Sequence, residues 1–338
     1  MGNQIANMSD HASAKVFALI GAAGYIAPRH MRAIKDNNAT LRAAYDPADS
    51  VGVIDSHFPE TRFFTEFERF DRYVDRCRRQ GENITHVGIC SPNYLHDAHV
   101  RFALRSGADA ICEKPLVLNP WNIDGLAAVE KDTGRKVNTI LQLRLHPAII
   151  ALRDQIAADK SGKIHDVDLT YITSRGRWYY VSWKGDAAKS GGIATNIGVH
   201  FYDMLSFVFG KLKTNIVHHR AMDCASGYLE YEKARVRWFL SINVHDVPAA
   251  IAEKQRTYRS IMVDGKEIEF SEGFTDLHTA SYREIIAGRG FPLDDVRASI
   301  ETVATIRQAP IELSIGEQHP FVAAVLKDEE RYKHGWPV

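Results

Sequence analysis

The feature that most restricts the fold lies near the start of the chain, where the apolar run Lys15–Ile20 (KVFALI) meets Gly21-Ala22-Ala23-Gly24. A short apolar run that ends in glycines and opens into helical spacing over 25–34 is a strand–turn–helix unit. Gly21, Gly24 and Ala27 supply what a dinucleotide demands: a tight turn, close approach of a pyrophosphate, and a small residue where helix meets strand. Tyr25 and Ile26 complete the turn, and the helix start behind them attracts phosphate. The spacing is one residue longer than Gly-x-Gly-x-x-Gly. A second run, 41–45, stops at Asp46-Pro47. A carboxylate at that strand end accepts hydrogen bonds from both ribose hydroxyls and repels a 2′-phosphate, and Pro47 brings no cation to offset it. The pattern selects NAD over NADP.

Further along, strand-like runs at 83–90, 109–112 and 136–143 alternate with helical stretches at 95–105 and 119–132. Asn119 is the expected cap of the latter. Such alternation gives a parallel sheet with right-handed crossovers. After about residue 160 the pattern changes to long alternating runs, 165–173, 227–231 and 234–242, with a hairpin signal at Asp264-Gly265 between 261–263 and 267–270. Helical stretches at 275–287 and 293–308 follow. The expected fold is α/β: an N-terminal Rossmann parallel sheet, then a C-terminal α+β domain with a large, open, mostly antiparallel sheet. The expected boundaries are a disordered leader at 1–14, an NAD-binding domain at 15–143, and a substrate-binding and oligomerisation domain at 144–338.

Charge and cysteine usage exclude several function classes. Lys plus Arg number 42 and Asp plus Glu number 42, so no basic surface for nucleic acid or membrane is expected. The four cysteines are scattered without a CxxC pair, which fits reduced thiols in a cytoplasmic protein. No apolar run is long enough to span a bilayer, and the polar start lacks a signal-peptide core. His96 with His99, and His218 with His219, lack acidic or cysteine partners at ligand spacing, so no metal is expected.

Two segments carry chemistry. Glu113-Lys114-Pro115 follows the strand ending at Cys112, at the carboxyl edge where open α/β sheets bind ligands. Asn196 and His200 lie four apart in Thr195-Asn196-Ile197-Gly198-Val199-His200, so a helix there places an amide and an imidazole on one face. Histidine titrates near neutrality, as a general base requires. The expected base is His200, with Lys114 hydrogen-bonded to the same oxygen and stabilising the developing negative charge; a Lys114 whose proton affinity is lowered by burial is the alternative base, and the residues alone do not choose between them. Arg144, Arg175, Arg177, Lys184 and Lys189 gather around the pocket segments, which suits an anionic substrate. Trp178, Tyr179 and Tyr180 suit a base or sugar face.

Taken together, the glycine turn with His30 beyond it, Ser91-Pro92-Asn93-Tyr94-Leu95-His96, Cys112-Glu113-Lys114-Pro115, and Trp183-Lys184 before the glycine–histidine segment resemble the Gfo/Idh/MocA family of sugar oxidoreductases. The resemblance implies catalysis by Lys114 and His200, with Asn196 standing where an aspartate is common in the family. It implies cofactor contacts at Gly21, Gly24, Tyr25, Ile26, Asp46, Ser91, Asn93, His96, Glu113, Lys114, Gln142, Trp183 and Lys184. Substrate contacts are implied at Lys114, Arg144, Arg175, Arg177, Trp178, Tyr179, Asn196 and His200. Gln142-Leu143-Arg144 and Arg175-Gly176-Arg177-Trp178-Tyr179 resemble one bacterial branch in particular. That branch implies oxidation of the C3 hydroxyl of UDP-N-acetyl-D-glucosaminuronate for lipopolysaccharide O-antigen synthesis. A tightly held NAD, reoxidation by 2-oxoglutarate and a homotetramer are implied with it. The alternatives are a dehydrogenase of a free sugar or inositol, and a non-catalytic NAD-binding regulator.

Overall fold

The computed structural model describes residues 15–268 and 276–328; the leader at 1–14, the end of the 267–270 run and the first residue of the 275–287 stretch lie outside them. The first sheet contains β1 (Val16–Ile20), β2 (Thr40–Tyr45), β3 (Arg62–Phe64), β4 (His86–Ile89), β5 (Asp109–Cys112) and β6 (Val137–Thr139), in the order β3-β2-β1-β4-β5-β6 with all pairs parallel. Phe17, Ala18, Leu19 and Ile20 of β1 and Val87 and Ile89 of β4 are fully buried, as strands covered on both faces must be. Strand order reverses between β1 and β4. The crevice beyond their carboxyl ends is therefore where this topology binds its ligand.

The second sheet contains β7 (His165–Thr173), β8 (Leu212–Arg220), β9 (Cys224–Tyr231), β10 (Ala234–Ser241), β11 (Thr257–Val263) and β12 (Lys266–Glu267), ordered β12-β11-β7-β10-β9-β8. Only the β7–β10 pair is parallel. Asp264 (φ 51°) and Gly265 (φ 77°) make the left-handed two-residue turn that joins β11 to β12. The chain then returns to the first layer. Helix Leu277–Ile286 packs on helix Ala27–Asp36, burying Tyr282 with Phe17 and Leu19, while helix Leu293–Gln308 packs on helix Val199–Phe209.

Three expectations are corrected. The strand expected over 136–143 ends at Thr139, and Gln142–Leu145 forms a 3₁₀ turn instead. Asn119 precedes helix Pro120–Thr133 but makes no side-chain cap; its Oδ1 accepts from Arg307 at 2.8 Å. Asn196 and His200 do not share one helix, because the chain breaks at Ile197-Gly198 between helices Gly192–Asn196 and Val199–Phe209. A side chain at Gly198 has no room: a Cβ there would lie 2.5 Å from both the Ala194 carbonyl oxygen and Leu240.

Candidate active site

The glycine turn fits a dinucleotide. Gly21 has φ +86°, and a Cβ on it would lie 2.6 Å from the backbone at Cys90 and Ser91, so only glycine seats the turn against the end of β4. The Gly21 and Ala22 amides donate to the Tyr45 carbonyl at 2.8 and 3.2 Å, drawing the turn onto β2. Asp46 closes this corner: Oδ2 accepts from the Ala23 amide at 3.0 Å and Oδ1 from the Ala48 amide at 2.9 Å. The strand-end carboxylate thus shapes the loop it borders, and each oxygen keeps a second lone pair. Tyr25 stands 90% exposed at the tip.

Across the crevice, the segment after β4 is tied to the second half of the chain. Asn93 donates to the Ser190 carbonyl at 3.0 Å and to Asn196 Oδ1 at 3.3 Å. Asn196 Nδ2 in turn donates to the buried Tyr179 hydroxyl at 2.7 Å. Lys114, whose bond to Pro115 is cis, reaches over to the Asn196 carbonyl, with Nζ at 3.5 Å. The structure thus joins Asn93, Lys114, Tyr179 and Asn196, drawn from both halves of the chain, in one hydrogen-bonded set.

The electrostatics of this set lower the proton affinity of both candidate bases. Burial lowers the proton affinity of Lys114, and Arg175 lowers it further, against an opposing pull from Glu113. His200 is held well below the ordinary imidazole range by burial and then by Lys114. Lys184 is lowered by burial, Arg175 and Lys114, and its Nζ lies 4.2 Å from the Trp183 ring centre and 5.7 Å from that of Trp178. Arg175, Lys184 and Lys114 therefore share one field, a rim of cations facing a crevice. Such a rim offers an anion several donors. Arg177 and Trp178 lie exposed beside it.

Other expected site residues are engaged in the scaffold. Arg144 is a correction: its guanidinium grips Asp203 at 2.7 and 2.9 Å and the Asp295 carbonyl at 2.8 Å, with only a tenth of the side chain exposed, so it offers no free fork to a substrate. His96 is a second, being buried with Nδ1 on the Pro115 carbonyl at 2.7 Å and Nε2 on that of Ser91 at 2.8 Å. Ser91 Oγ is paired with His99 at 2.8 Å. Glu113 is a third: it faces inward, to His30, His278 and the Lys114 amide. Gln142 Oε1 is buried without a protein partner. Sequence reasoning did not find His278 or Tyr282. Their spacing of four on one helix was the available signal, but nothing local says that this helix returns to Lys114.

His30, Glu113 and His278 bring three ligand-type atoms within 4.8 Å of one another. Those atoms face each other as hydrogen-bond partners, and the Tyr282 hydroxyl takes the second nitrogen of His30 at 2.7 Å.

Comparison with known proteins agrees with this geometry. Residues 15–140 match the model described as oxidoreductase family, NAD-binding Rossmann fold, and residues 153–249 match its C-terminal alpha/beta domain. Inositol 2-dehydrogenase of Rhizobium meliloti is 30% identical over 203 residues, covering 58% of this chain and 55% of that enzyme. The chain spans about half the length of the curated relatives it matches. Among solved structures, the WlbA (WbpB) dehydrogenase of Thermus thermophilus in complex with NAD and alpha-ketoglutarate superposes with a TM-score of 0.88 at 52% identity, covering 91% of this chain and 99% of that one. The same enzyme in complex with NAD and UDP-GlcNAcA gives 0.87 at 51%, over the same shares of the two chains. The WlbA dehydrogenase of Bordetella pertussis, at 18% identity and a TM-score of 0.71 over 87% of this chain and 95% of that one, shares the fold. With both halves matched in order around a glycine turn that fits a dinucleotide, this chain belongs to the Gfo/Idh/MocA family of NAD-binding oxidoreductases.

Proposed function

We propose that this protein oxidises the C3 hydroxyl of UDP-N-acetyl-D-glucosaminuronate to a ketone, as an NAD-dependent step in building lipopolysaccharide sugars. The observation that carries the reading is the gathering of Arg175, Lys184 and Lys114 at one crevice, with His200, held well below the ordinary imidazole range by burial, beside them. A nucleotide sugar acid brings a diphosphate and a carboxylate to such a rim, whereas glucose or inositol brings no charge. The Thermus thermophilus complex with NAD and UDP-GlcNAcA supports the substrate, and its complex with alpha-ketoglutarate supports reoxidation by that acid. The reading includes a cytoplasmic homotetramer; among the described residues no helix is long and apolar enough to cross a membrane.

Gly21, Gly24, Tyr25, Ile26 and Asp46 hold the cofactor along the glycine turn, with Asn93, Gln142, Trp183 and Lys184 at its inner end. NAD, when bound, supplies the hydride acceptor. Lys114 takes the proton of the C3 hydroxyl: burial lowers its proton affinity, so its conjugate acid lies nearer neutrality than that of an exposed lysine. His200, held neutral, donates or accepts one hydrogen bond at the same oxygen and fixes its orientation. Asn196 fixes the floor of the site by holding Tyr179, Asn93 and Lys114 together.

Steady-state turnover of UDP-N-acetylglucosaminuronate, UDP-N-acetylglucosamine, glucose and inositol tests the substrate. The expected order puts the acid first, with the neutral UDP-sugar at least about tenfold slower, because a charge-assisted contact to the carboxylate contributes about 1.5–3 kcal/mol. Preference for a free sugar contradicts the reading.

A further inference from the structure

We propose that Glu113, held by His30, His278 and Tyr282, is the positioning residue of Lys114: one carboxylate that fixes the lysine's backbone and presents a buried negative charge to its amine. The inference rests on the reading of Lys114 as the base.

The hydrogen-bond inventory determines the charge of this assembly. Glu113 is 6% exposed. Its Oε1 accepts from His30 Nε2 at 3.0 Å and His278 Nε2 at 2.9 Å, and its Oε2 accepts from the Lys114 amide at 3.2 Å. Because an ionised carboxylate only accepts, His30 Nε2 carries the proton aimed at Glu113, and His30 Nδ1 is hydrogen-bonded to the Tyr282 hydroxyl at 2.7 Å. His278 Nδ1 is buried with no partner, so a proton there would bury an unpaired N–H. An ionised Glu113 accepts all three contacts, with each imidazole donating from Nε2. Burial opposes the charge on Glu113, and the two histidines overcome it, holding its carboxyl well below the usual range. Glu113 is the anion of the assembly; its Oε2 holds the Lys114 amide, and its charge raises the proton affinity of the Lys114 side chain.

Three separate pieces of chain build it. His30 comes from the first helix, Glu113 from the end of β5, and His278 and Tyr282 from a helix more than 160 positions later. Other ionisable groups face the pair from several elements, among them His96, which burial lowers and which lies in the fields of both Glu113 and Lys114. Arg175 and Lys184 approach Lys114 from the loops after β7, and His200 from the helix after Gly198. Cys90 and Cys112 flank Glu113, and burial keeps both thiols protonated. Glu113 is therefore the anion against which Lys114 titrates, opposed by the cations of the rim.

The test is a set of pH profiles of kcat/KM for the full-length holoenzyme, with Glu113→Gln, Glu113→Asp and Tyr282→Phe. With Lys114 as base, the rate rises with pH as its ammonium loses a proton. Removing the anion makes that loss easier, so Glu113→Gln is expected to move the rising limb about one pH unit lower, the scale of a neighbouring opposite charge. Its kcat should fall about tenfold from misplacement of the lysine. Glu113→Asp keeps the charge: its limb stays in place although kcat falls. Tyr282→Phe frees His30 and lowers kcat without moving the limb, and serves should Glu113→Gln not fold. Carbon-13 NMR of the lysine side chains reads the Lys114 midpoint without any substrate, so the charge pairing is tested even where the substrate reading fails. A limb and midpoint unmoved by Glu113→Gln, or moved equally by Glu113→Asp, overturn the proposal. If Glu113→Gln is unfolded, a Tyr282→Phe enzyme with unchanged kcat does so.

Discussion

Lys114 is a half-buried amine that donates to the Asn196 carbonyl and has cations on its open side. Lys114→Met is expected to lower kcat by about two orders of magnitude or more, the usual scale for losing an acid–base group, read by steady-state turnover. His200→Asn should lower kcat and leave the rising limb in place, because a neutral imidazole that orients the hydroxyl does not set the titration. A limb that vanishes in His200→Asn, measured by the same pH profile, returns the base to histidine. Both residues are legible in the sequence, since each stands beside a local marker, Pro115 or the glycines. Arg144 is not legible as a scaffold residue: its partner Asp203 lies 59 positions away and nothing local announces it. Asp46 is half legible. Its place at a strand end is visible, but its grip on the Ala23 amide is not. Asp46→Ala with Pro47→Arg is accordingly expected to weaken NAD and improve NADP, with some loss of both from the loosened loop; unchanged NAD affinity contradicts the ribose role.

Elements were readable wherever the hydrophobic period was strong. β1, β2, β5, β7 and the last long helix lie where their patterns put them, because a strand covered on both faces or a long amphipathic helix leaves little choice. The failures have a common cause in tertiary contact. β6 stops at Thr139, after which Gln142–Leu145 turns toward the second layer, and the break at Gly198 answers to the Ala194 carbonyl and Leu240 rather than to local propensity. β8 has a weakly alternating sequence and earns its place by pairing with β9. The turn after β1 is the element under the tightest restraint. Gly21→Ala must push a methyl into the backbone at Cys90, so loss of NAD binding and a lowered Tm are expected together. Arg144→Met removes one partner of a buried pair and should destabilise by about 3–5 kcal/mol, read by urea unfolding, with KM for the UDP-sugar unchanged. A raised KM with intact stability would return Arg144 to the substrate.

At the scale of the molecule, the two sheets are joined through the site itself. Asn93 and Lys114 reach from the Rossmann half to Asn196 and the Ser190 carbonyl, and helix Leu277–Ile286 returns to place His278 and Tyr282 behind Glu113. The two-layer architecture and the cofactor were legible in the sequence; the returning helix was not, since its contacts bridge some 165 positions. In the proposed reaction this assembly transfers a hydride from a UDP-sugar acid to NAD and passes it on to a 2-oxo acid. The most direct measurement follows the near-ultraviolet absorbance of reduced nicotinamide on the purified protein. Adding UDP-N-acetylglucosaminuronate to the NAD form should raise that absorbance within the enzyme, and adding 2-oxoglutarate should then abolish it, with 2-hydroxyglutarate and the 3-oxo sugar appearing in equal amounts. No rise with the UDP-sugar acid, under conditions where inositol or glucose does produce one, contradicts the account.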